Sequence, residues 1–322
     1  MKKTILPAVC TLCALSFLHA QNVDTVKGPW HISGFGALQF NQVSFTNWAQ
    51  GGDNSIAFSI VGLLKADYAQ NRHSWNNRAD ALFGLIRTDE FGLRKNDDKL
   101  ELESKYGYAV TKNEKLYTTA LANFKSQFAP GYNYPNDSVK ASEFAAPGYL
   151  ALGLGIDYKP LSYFSLYISP ITGRITFIRN QHIANLGTYG NDPGIAITDT
   201  AGNIIGYNPL GKKTRYEFGA YLTVKFEKEV LKNFTLMTKL NLFYDYLNKD
   251  PQSRKYIDVD WETNMLFKIN EWLSASLILH FIYDYDIKIP DPDDPTDLRD
   301  RAQFKEALGI GLTYKFSNDK RQ

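Results

Sequence analysis

The stretch that decides the fold runs from Lys212 to Asn248 and reads KKTRYEFGAYLTVKFEKEVLKNFTLMTKLNLFYDYLN. Every second residue from Tyr216 to Phe226 is apolar, and the residues between them are mostly polar. After a break at 229–233 the same alternation returns from Phe234 to Tyr246. A period of two indicates extended strands, because successive side chains leave a strand on opposite faces. Two such strands joined by a tight turn predict a β-hairpin.

These strands are long compared with the five or six residues common in soluble proteins. A transmembrane β-strand needs about 9 to 11 tilted residues, with aromatic side chains where lipid meets water. The apolar face of the second strand ends in Tyr244 and Tyr246. The hairpin is therefore predicted to form two strands of an outer-membrane barrel. A soluble β-sandwich remains the alternative, since it also alternates apolar and polar positions.

Twelve segments of the chain have strand character. They are 30–45, 54–69, 73–87, 98–111, 114–128, 147–159, 162–179, 212–228, 232–247, 254–268, 271–286 and 302–316. Tight turns alternate with longer connections at 46–53, 88–97, 129–146, 180–211, 248–253 and 287–301. Strict alternation with an even strand count is typical of bacterial barrels. The sequence predicts an all-β fold, a transmembrane antiparallel up-and-down β-barrel of about 12 strands with its long loops outside.

Two strands carry special signals. In the seventh, the apolar parity changes between Ile168 and Ile175, which predicts a bulge at 170–173. The last strand alternates from Phe304 and ends on the aromatic Phe316. This ending is similar to the C-terminal signal of outer-membrane clients, so barrel-assembly machinery is an expected partner.

The N-terminus has the pattern of a secretory leader. Lys2 and Lys3 precede an apolar run from Ile5 to Leu18, and cleavage is predicted between Ala20 and Gln21. The predicted organisation is a signal peptide at 1–20, a short periplasmic segment at 21–29, the barrel at 30–316 and a periplasmic tail at 317–322. Both termini are then periplasmic in a Gram-negative bacterium.

Composition supports this compartment and excludes some partners. Aromatic residues make up 14% of the chain, and both cysteines, Cys10 and Cys13, lie in the leader. Removing the leader takes away two of the 36 basic residues and none of the 34 acidic ones, which leaves 34 against 34. A nucleic-acid partner would require a basic surplus, so none is expected. Outer-membrane lipid and lipopolysaccharide are the expected surroundings.

Three stretches resemble a family of outer-membrane proteins of Bacteroidota known as domain of unknown function 3078. They are SFTNWAQGGDN at 44–54, NFKSQFAPGYNYP at 123–135 and DYDIKIP at 284–290. The resemblance implies a Gram-negative outer-membrane barrel, and no established activity comes with it.

Many charged residues fall on the predicted inward faces. The candidates for lining the lumen are Arg78, Asp80, Glu101, Glu103, Lys105, Lys125, Arg215, Glu217, Lys225, Lys239, Asp258, Asp260, Glu262 and His280, accompanied by Asp157, Glu227, Asp245 and Lys305. One interpretation is a filled lumen of paired charges, and the other is a polar path, since twelve strands lie between filled and open barrels. We expect a passive or gated channel for small solutes. A closed barrel that acts as a structural or partner-binding protein through its loops is the alternative.

The acidic loop after the eleventh strand is a candidate calcium site, because calcium takes clustered carboxylate oxygens. Its candidate ligands are Asp284, Asp286, Asp291, Asp293 and Asp294. The EF-hand pattern fails here, since Thr296 and Ala302 stand where glycine and glutamate are required. A solvated acidic loop is the simpler interpretation, and no other cofactor is expected.

Catalytic chemistry finds little support. Ser276 and His280 share one face of a strand but lie about 13 Å apart, too far for a nucleophile and its base. The glycine pairs at 153 and 155 and at 309 and 311 precede no helix, so they do not predict a phosphate site. We expect no enzymatic activity.

Overall fold

The computed structural model describes residues 28–44, 54–132, 137–248, 255–291 and 298–318. Its elements in chain order are β1 (Trp30–Val43), β2 (Ser55–Gln70), β3 (His73–Thr88), β4 (Gly92–Ala109), β5 (Leu116–Ser126), β6 (Gly131–Tyr132), β7 (Lys140–Ser142), β8 (Gly148–Leu161), β9 (Phe164–Phe177), α1 (Gln181–Leu186), β10 (Ala196–Thr198), β11 (Ile204–Tyr207), β12 (Thr214–Leu231), β13 (Phe234–Asp245), β14 (Asp258–Lys268), β15 (Leu273–Tyr283), β16 (Lys288–Pro290), β17 (Leu298–Asp300) and β18 (Gln303–Ser317). The predicted leader, its cleavage site at Ala20 and Gln21, and Asp293 and Asp294 lie outside the described residues.

Twelve strands of the described chain close into one antiparallel barrel. Around the ring they follow the order β1-β18-β15-β14-β13-β12-β9-β8-β5-β4-β3-β2. Each strand pairs with the barrel strands before and after it in sequence, and β1 pairs with β18 to close the ring. This up-and-down order confirms the predicted fold class, and all twelve predicted segments are strands.

One predicted loop is wrong. The connection expected at 88–97 is a three-residue turn at 89–91, because β4 begins at Gly92. Gly92 has a φ of 66°, a left-handed conformation that glycine adopts without a Cβ clash. The pairing of β3 with β4 shifts register between Gly84 and Leu85, so an extra residue on β4 is accommodated there.

The longer connections leave the barrel at one end, the loop end, together with the turn at 89–91. The other end, the turn end, holds the remaining tight turns and the first and last described residues. Three of these connections contain short sheets, formed by β6 with β7, β10 with β11 and β16 with β17. The helix α1 lies in the connection between β9 and β12. The loop end is therefore more regular than the sequence pattern predicts.

The outer wall is apolar. Leucine, isoleucine and phenylalanine side chains on alternate positions of the strands are exposed, for example Phe58, Leu154 and Leu308. Near the turn end, Trp30 packs against Tyr68 and Trp75 with ring centroids 5.3 and 5.7 Å apart. An apolar band bordered by aromatic rings is the surface of a transmembrane barrel. Within the described residues, no helix has the length and apolarity to cross a bilayer.

The predicted bulge in the seventh barrel strand is present in β9. The register of β9 shifts against both neighbours around Ser169, Pro170 and Ile171. The Ser169 hydroxyl donates to the carbonyl of Leu154 or Ile171, at 2.8 and 2.9 Å. Opposite the bulge stands Gly155, where a Cβ would lie 2.1 Å from the carbonyl oxygen of Ile168. The bulge therefore requires glycine at this position.

Gly155→Ala should destabilise the barrel, because the new methyl group meets backbone that cannot move aside. We expect a loss of about 1–3 kcal/mol in the free energy of unfolding, measured by urea titration of protein refolded into vesicles. Gly173→Ala is the matched control, since a Cβ there meets nothing within 4 Å. Equal stability of the two variants would contradict the close approach at the bulge.

Candidate functional site: the lumen

The polar faces of the strands point into the barrel, where their charges form three clusters along the axis. All fourteen residues predicted to line the lumen belong to these clusters. The upper cluster, near the loop end, contains Arg174, Arg215, Glu217, Asp258, Asp284 and Asp286. The middle cluster contains Lys99, Lys105, Lys125, Lys225 and Lys239 with Glu101, Glu103, Asp157, Asp260 and Glu262, and His280 bonds to Asp260. The lower cluster contains Lys65, Arg78, Asp80 and Glu227.

The middle cluster joins strands that are far apart in the ring. Lys239 of β13 donates to Glu101 and Glu103 of β4 at 2.6 and 3.0 Å. Lys225 of β12 also pairs with Glu103. These two glutamates are buried, with 4% and 8% of their surface exposed. The side chains therefore meet in the middle of the barrel and not along one wall.

Two ion pairs join strands on opposite sides of the ring. Lys99 of β4 lies 2.6 Å from Glu262 of β14, and Lys65 of β2 pairs with Glu227 of β12. Each pair of strands is six places apart in a ring of twelve. A circular barrel of twelve strands tilted by about 40° would have a backbone diameter of about 24 Å. An extended lysine and glutamate bridge at most about 14 Å between their Cα atoms. The barrel is therefore flattened, with its narrow dimension between these walls.

The flattened lumen has two lobes of different character. One lobe lies against β5, β8 and β9, where Lys105 pairs with Asp157 at 2.8 Å and Tyr167 is 1% exposed. Lys159 crosses this lobe to reach Ser74 and Asn76 of β3, at 3.1 and 2.6 Å. This side of the lumen is filled by packed side chains.

The other lobe lies against β15, β18 and β1 and is lined by small residues. Ala307, Gly309 and Gly311 of β18 face inward and remain partly accessible. Gln39 of β1 lies flat across β18, because a Cβ on Gly309 would meet its amide oxygen at 2.8 Å. Its side-chain amide donates to Ser276 of β15 at 2.6 Å. We call this region the small-residue lobe.

Among the described residues, one ion pair crosses the small-residue lobe near the loop end. Lys305 of β18 lies 2.6 Å from Asp97 of β4, four places away in the ring. The Lys305 side chain is 39% exposed, far more than the glutamates of the middle cluster. Its partner Asp97 is 16% exposed, so the pair is only partly buried.

The acidic run at 258, 260 and 262 is neutralised by cations from other strands. Asp258 lies 2.7 Å from Arg174, Asp260 pairs with Lys125, and Glu262 pairs with Lys99. The middle cluster holds five lysines and five carboxylates, so its formal charge is zero with His280 neutral. No strong preference for cations or anions follows from this arrangement.

The serine and histidine considered for catalysis have separate partners. The Nε2 of His280 lies 2.9 Å from Asp260, while Ser276 accepts a hydrogen bond from Gln39. The expectation that the protein is not an enzyme stays a prediction.

The three described candidate calcium ligands also have partners. Asp284 accepts from the backbone of Asp286, Asp286 pairs with Arg215, and Asp291 lies 2.6 Å from Arg301. Among the described residues, no group of three acidic, histidine or cysteine side chains has the geometry of a metal site. Calcium binding in this loop stays a prediction.

Two connections at the loop end form a small cap with its own core. Ile183 and Ala184 of α1 pack against Ala146 and Ile178, and all four are fully buried. The helix begins at Asn180, whose side chain accepts from the backbone of His182, and ends before Gly187 with a φ of 69°. This Asn-to-Gly pattern is the sequence signal for the helix.

Polar contacts join the two connections that form the cap. The Tyr189 hydroxyl donates to the carbonyl of Ala141 at 3.0 Å, and burial raises the pKa of this phenol to about 12. Asn180 donates to Glu143 at 3.1 Å, and a hydrogen bond from Lys140 holds the pKa of Glu143 below its usual value. The Gly190 backbone lies beside the Arg215 guanidinium, so the cap reaches the upper cluster.

Sequence reasoning missed several charged members of the lumen, including Lys65, Lys99, Asp97 and Arg174. Lys65 and Lys99 occupy inward positions in the alternation of their strands, so the sequence contained a signal that could have identified them. Asp97 fell in the loop that was wrongly predicted at 88–97. Arg174 was hidden by the β9 bulge, which reverses the parity of the residues after it.

Part of the chain matches a known protein family. Residues 40–132 match the family described as Protein of unknown function (DUF3078). This match confirms the resemblance to domain of unknown function 3078. It contains the motif at 44–54 and most of the motif at 123–135, whereas the motif at 284–290 lies outside it. An origin in Bacteroidota stays a prediction. No curated protein sequence matches the chain.

Several solved barrels are similar in outline. The COG4313 outer membrane channel from Pseudomonas putida F1 has 10% identity and a TM-score of 0.39, covering 91% of this chain and 97% of the channel. The translocator domain of autotransporter NalP from Neisseria meningitidis has 10% identity and a TM-score of 0.35, covering 91% and 90%. The NanC porin has 7% identity and a TM-score of 0.34, covering 86% and 98%. The strand pairing of this chain by itself establishes the closed barrel.

The middle cluster should couple strands that are not neighbours in the ring. Glu103→Gln and Lys225→Gln should each destabilise the barrel, and the double variant should lose less than the sum. We expect a coupling of about 1–3 kcal/mol, because the pair is largely enclosed and hydrogen-bonded. Urea unfolding of the four proteins in vesicles measures this coupling. The exposed pair of Lys140 and Glu143 is the control and should show no measurable coupling. Additive effects of the substitutions at both pairs would contradict an energetic link between Glu103 and Lys225.

Proposed function

We propose that the protein is a narrow, gated outer-membrane channel for small solutes, whose path follows the small-residue lobe. The observation that carries this proposal is the asymmetry of the lumen. Packed ion pairs fill the side near β5, β8 and β9, while Ala307, Gly309 and Gly311 leave the other side partly accessible.

The lobe is narrow, so only small solutes could pass through it. Twelve-stranded barrels lie between filled eight-stranded barrels and porins of 16 to 18 strands. The cross-lumen ion pairs reduce the space further. The pair of Lys305 and Asp97 crosses the lobe near the loop end and is the proposed gate, because the Lys305 side chain is 39% exposed.

The proposed setting is the outer membrane of a Gram-negative bacterium. The first and last described residues lie at the turn end, which we place in the periplasm, and the long loops then face outside. The apolar wall and its aromatic rings would contact outer-membrane lipid and lipopolysaccharide. Insertion by barrel-assembly machinery is part of the same proposal.

Single-channel recording tests this path through engineered cysteines. The chain has only Cys10 and Cys13, so residues 21–322 form a cysteine-free background. In Ala307→Cys, a cationic methanethiosulfonate reagent should reduce conductance, because the new thiol lies in the proposed path. Thr119→Cys is the matched control, since Thr119 faces the packed lobe and is only 2% exposed. Block at both positions, or at position 119 alone, would place the path elsewhere.

The gate has a separate test. Lys305→Ala should increase the time that the channel spends open, because it removes the bridge to Asp97. Lys225→Gln, in the packed middle cluster, should not have this effect. A silent bilayer for every variant, with insertion demonstrated, would mean that the barrel is closed.

A specific observation favours the closed, partner-binding alternative. The β10–β11 hairpin stands away from the barrel, and Ile195, Ile197, Ile204 and Ile205 are all exposed on it. An isolated two-stranded hairpin is marginally stable in water, and exposed apolar patches mark interaction sites. Under this alternative the hairpin binds a partner outside the cell.

Ile197→Ser with Ile205→Ser tests the alternative. Loss of a cross-linked partner on intact cells, with the barrel still folded, is the expected result if the hairpin is the contact. Lys112→Ser at the turn end is the control. Equal cross-linking by the unmodified protein, the double variant and the Lys112→Ser control would exclude the hairpin as a contact site.

A further inference from the structure

The turn end of the small-residue lobe contains a cavity to which the channel proposal assigns no ligand. Its volume is about 240 Å³, and it opens between β1, β2, β13, β14 and β18. The ion pair between Lys65 and Glu227 crosses the lumen at its edge. The cavity is therefore a half-enclosed chamber at the mouth of the barrel.

Apolar side chains line this chamber, although the rest of the lumen is mainly polar. Phe35, Leu63, Met237 and Leu266 contribute to its wall. Leu63 and Leu266 are 9% and 5% exposed, so they are held in place by packing. A concave apolar wall with a few polar groups is the usual form of a small-molecule site.

Two lysines without ion-pair partners stand at the mouth. Lys315 of β18 lines the chamber, and Lys268 follows Leu266 on the inward face of β14. Both are exposed, and among the described residues neither has a carboxylate within 4.0 Å. Elsewhere in the lumen the lysines pair with carboxylates, as Lys99 does with Glu262. These two cations are available to an anion that enters the mouth.

We propose that this chamber binds a small amphipathic carboxylate, with its apolar chain against Leu63, Met237 and Leu266 and its carboxylate at Lys315. The apolar wall requires a hydrophobic portion, and the lysines require a negative group. The volume is below the range of about 300–1,000 Å³ for drug-sized ligands, which restricts the ligand to a short chain. This site does not depend on conduction through the lobe.

The two methionines of the barrel provide an internal pair of reporters. Met237 faces the chamber, and Met265 lies on the opposite, lipid-facing parity of β14. Protein with 13C-methyl methionine in nanodiscs should therefore show one chamber signal and one lipid-facing signal, assigned with Met237→Leu. Octanoate is the probe, and octylammonium is the matched ligand of opposite charge.

Octanoate should shift the Met237 methyl signal saturably and leave Met265 unchanged, while octylammonium shifts neither. Lys315→Gln should weaken the apparent affinity for octanoate by about three- to fivefold, as expected for a partly exposed ion pair. Lys112→Gln, at the same end of the barrel but remote from the chamber, should bind as the unmodified protein does.

Other outcomes would overturn the proposal. Parallel, non-saturating shifts of Met237 and Met265 would mean partitioning into lipid. An absent Met237 shift would mean that the chamber does not bind, and an affinity unchanged by Lys315→Gln would reject a carboxylate site. Because the signal reports binding directly, these results stand whether or not the lobe conducts.

Discussion

The structure depends on the pairing of charges across a closed wall. A β-barrel strand sends alternate side chains inward, so twelve polar faces converge on one enclosed space. An isolated charge there would lose its hydration without compensation. The pairs of Lys99 with Glu262 and Lys65 with Glu227 satisfy this requirement by joining opposite strands. They also hold those walls close together, which flattens the barrel into two lobes, one packed with side chains and one partly accessible.

These ion pairs contribute more to the choice of structure than to its net stability. Burying a charge pair costs desolvation energy that its attraction only partly returns, whereas leaving one partner alone is strongly unfavourable. A slip of one residue in any strand would turn its charges toward lipid and its apolar residues inward. Glu101 and Glu103, each contacted from β13, would then lose their lysine partners. The middle cluster therefore favours one strand register over its neighbours.

Local sequence patterns predict which side chains point into the barrel, but they do not predict which of them meet across the lumen. The period of two predicts all twelve strands and the inward parity of residues such as Glu101 and Lys239, because it reflects single-strand geometry. Which inward residues meet across the lumen depends on ring order and flattening, and no window of sequence contains that information. The β9 bulge adds a further difficulty, since it reverses parity and so hides Arg174. The short helix α1 was missed although Asn180 and Gly187 mark its ends.

The accessible lobe lies where the first and last strands meet, and one physical reason accounts for both features. Where β18 pairs with β1, a Cβ on Gly311 would lie 1.9 Å from the carbonyl oxygen of Leu38. Glycine at this seam permits the close approach and adds no side chain to the lumen. Gly309 likewise lets Gln39 lie flat against the wall. Larger residues at these positions would both separate β18 from β1 and fill the lobe. Closure of the barrel and an open path therefore both require small residues on β18.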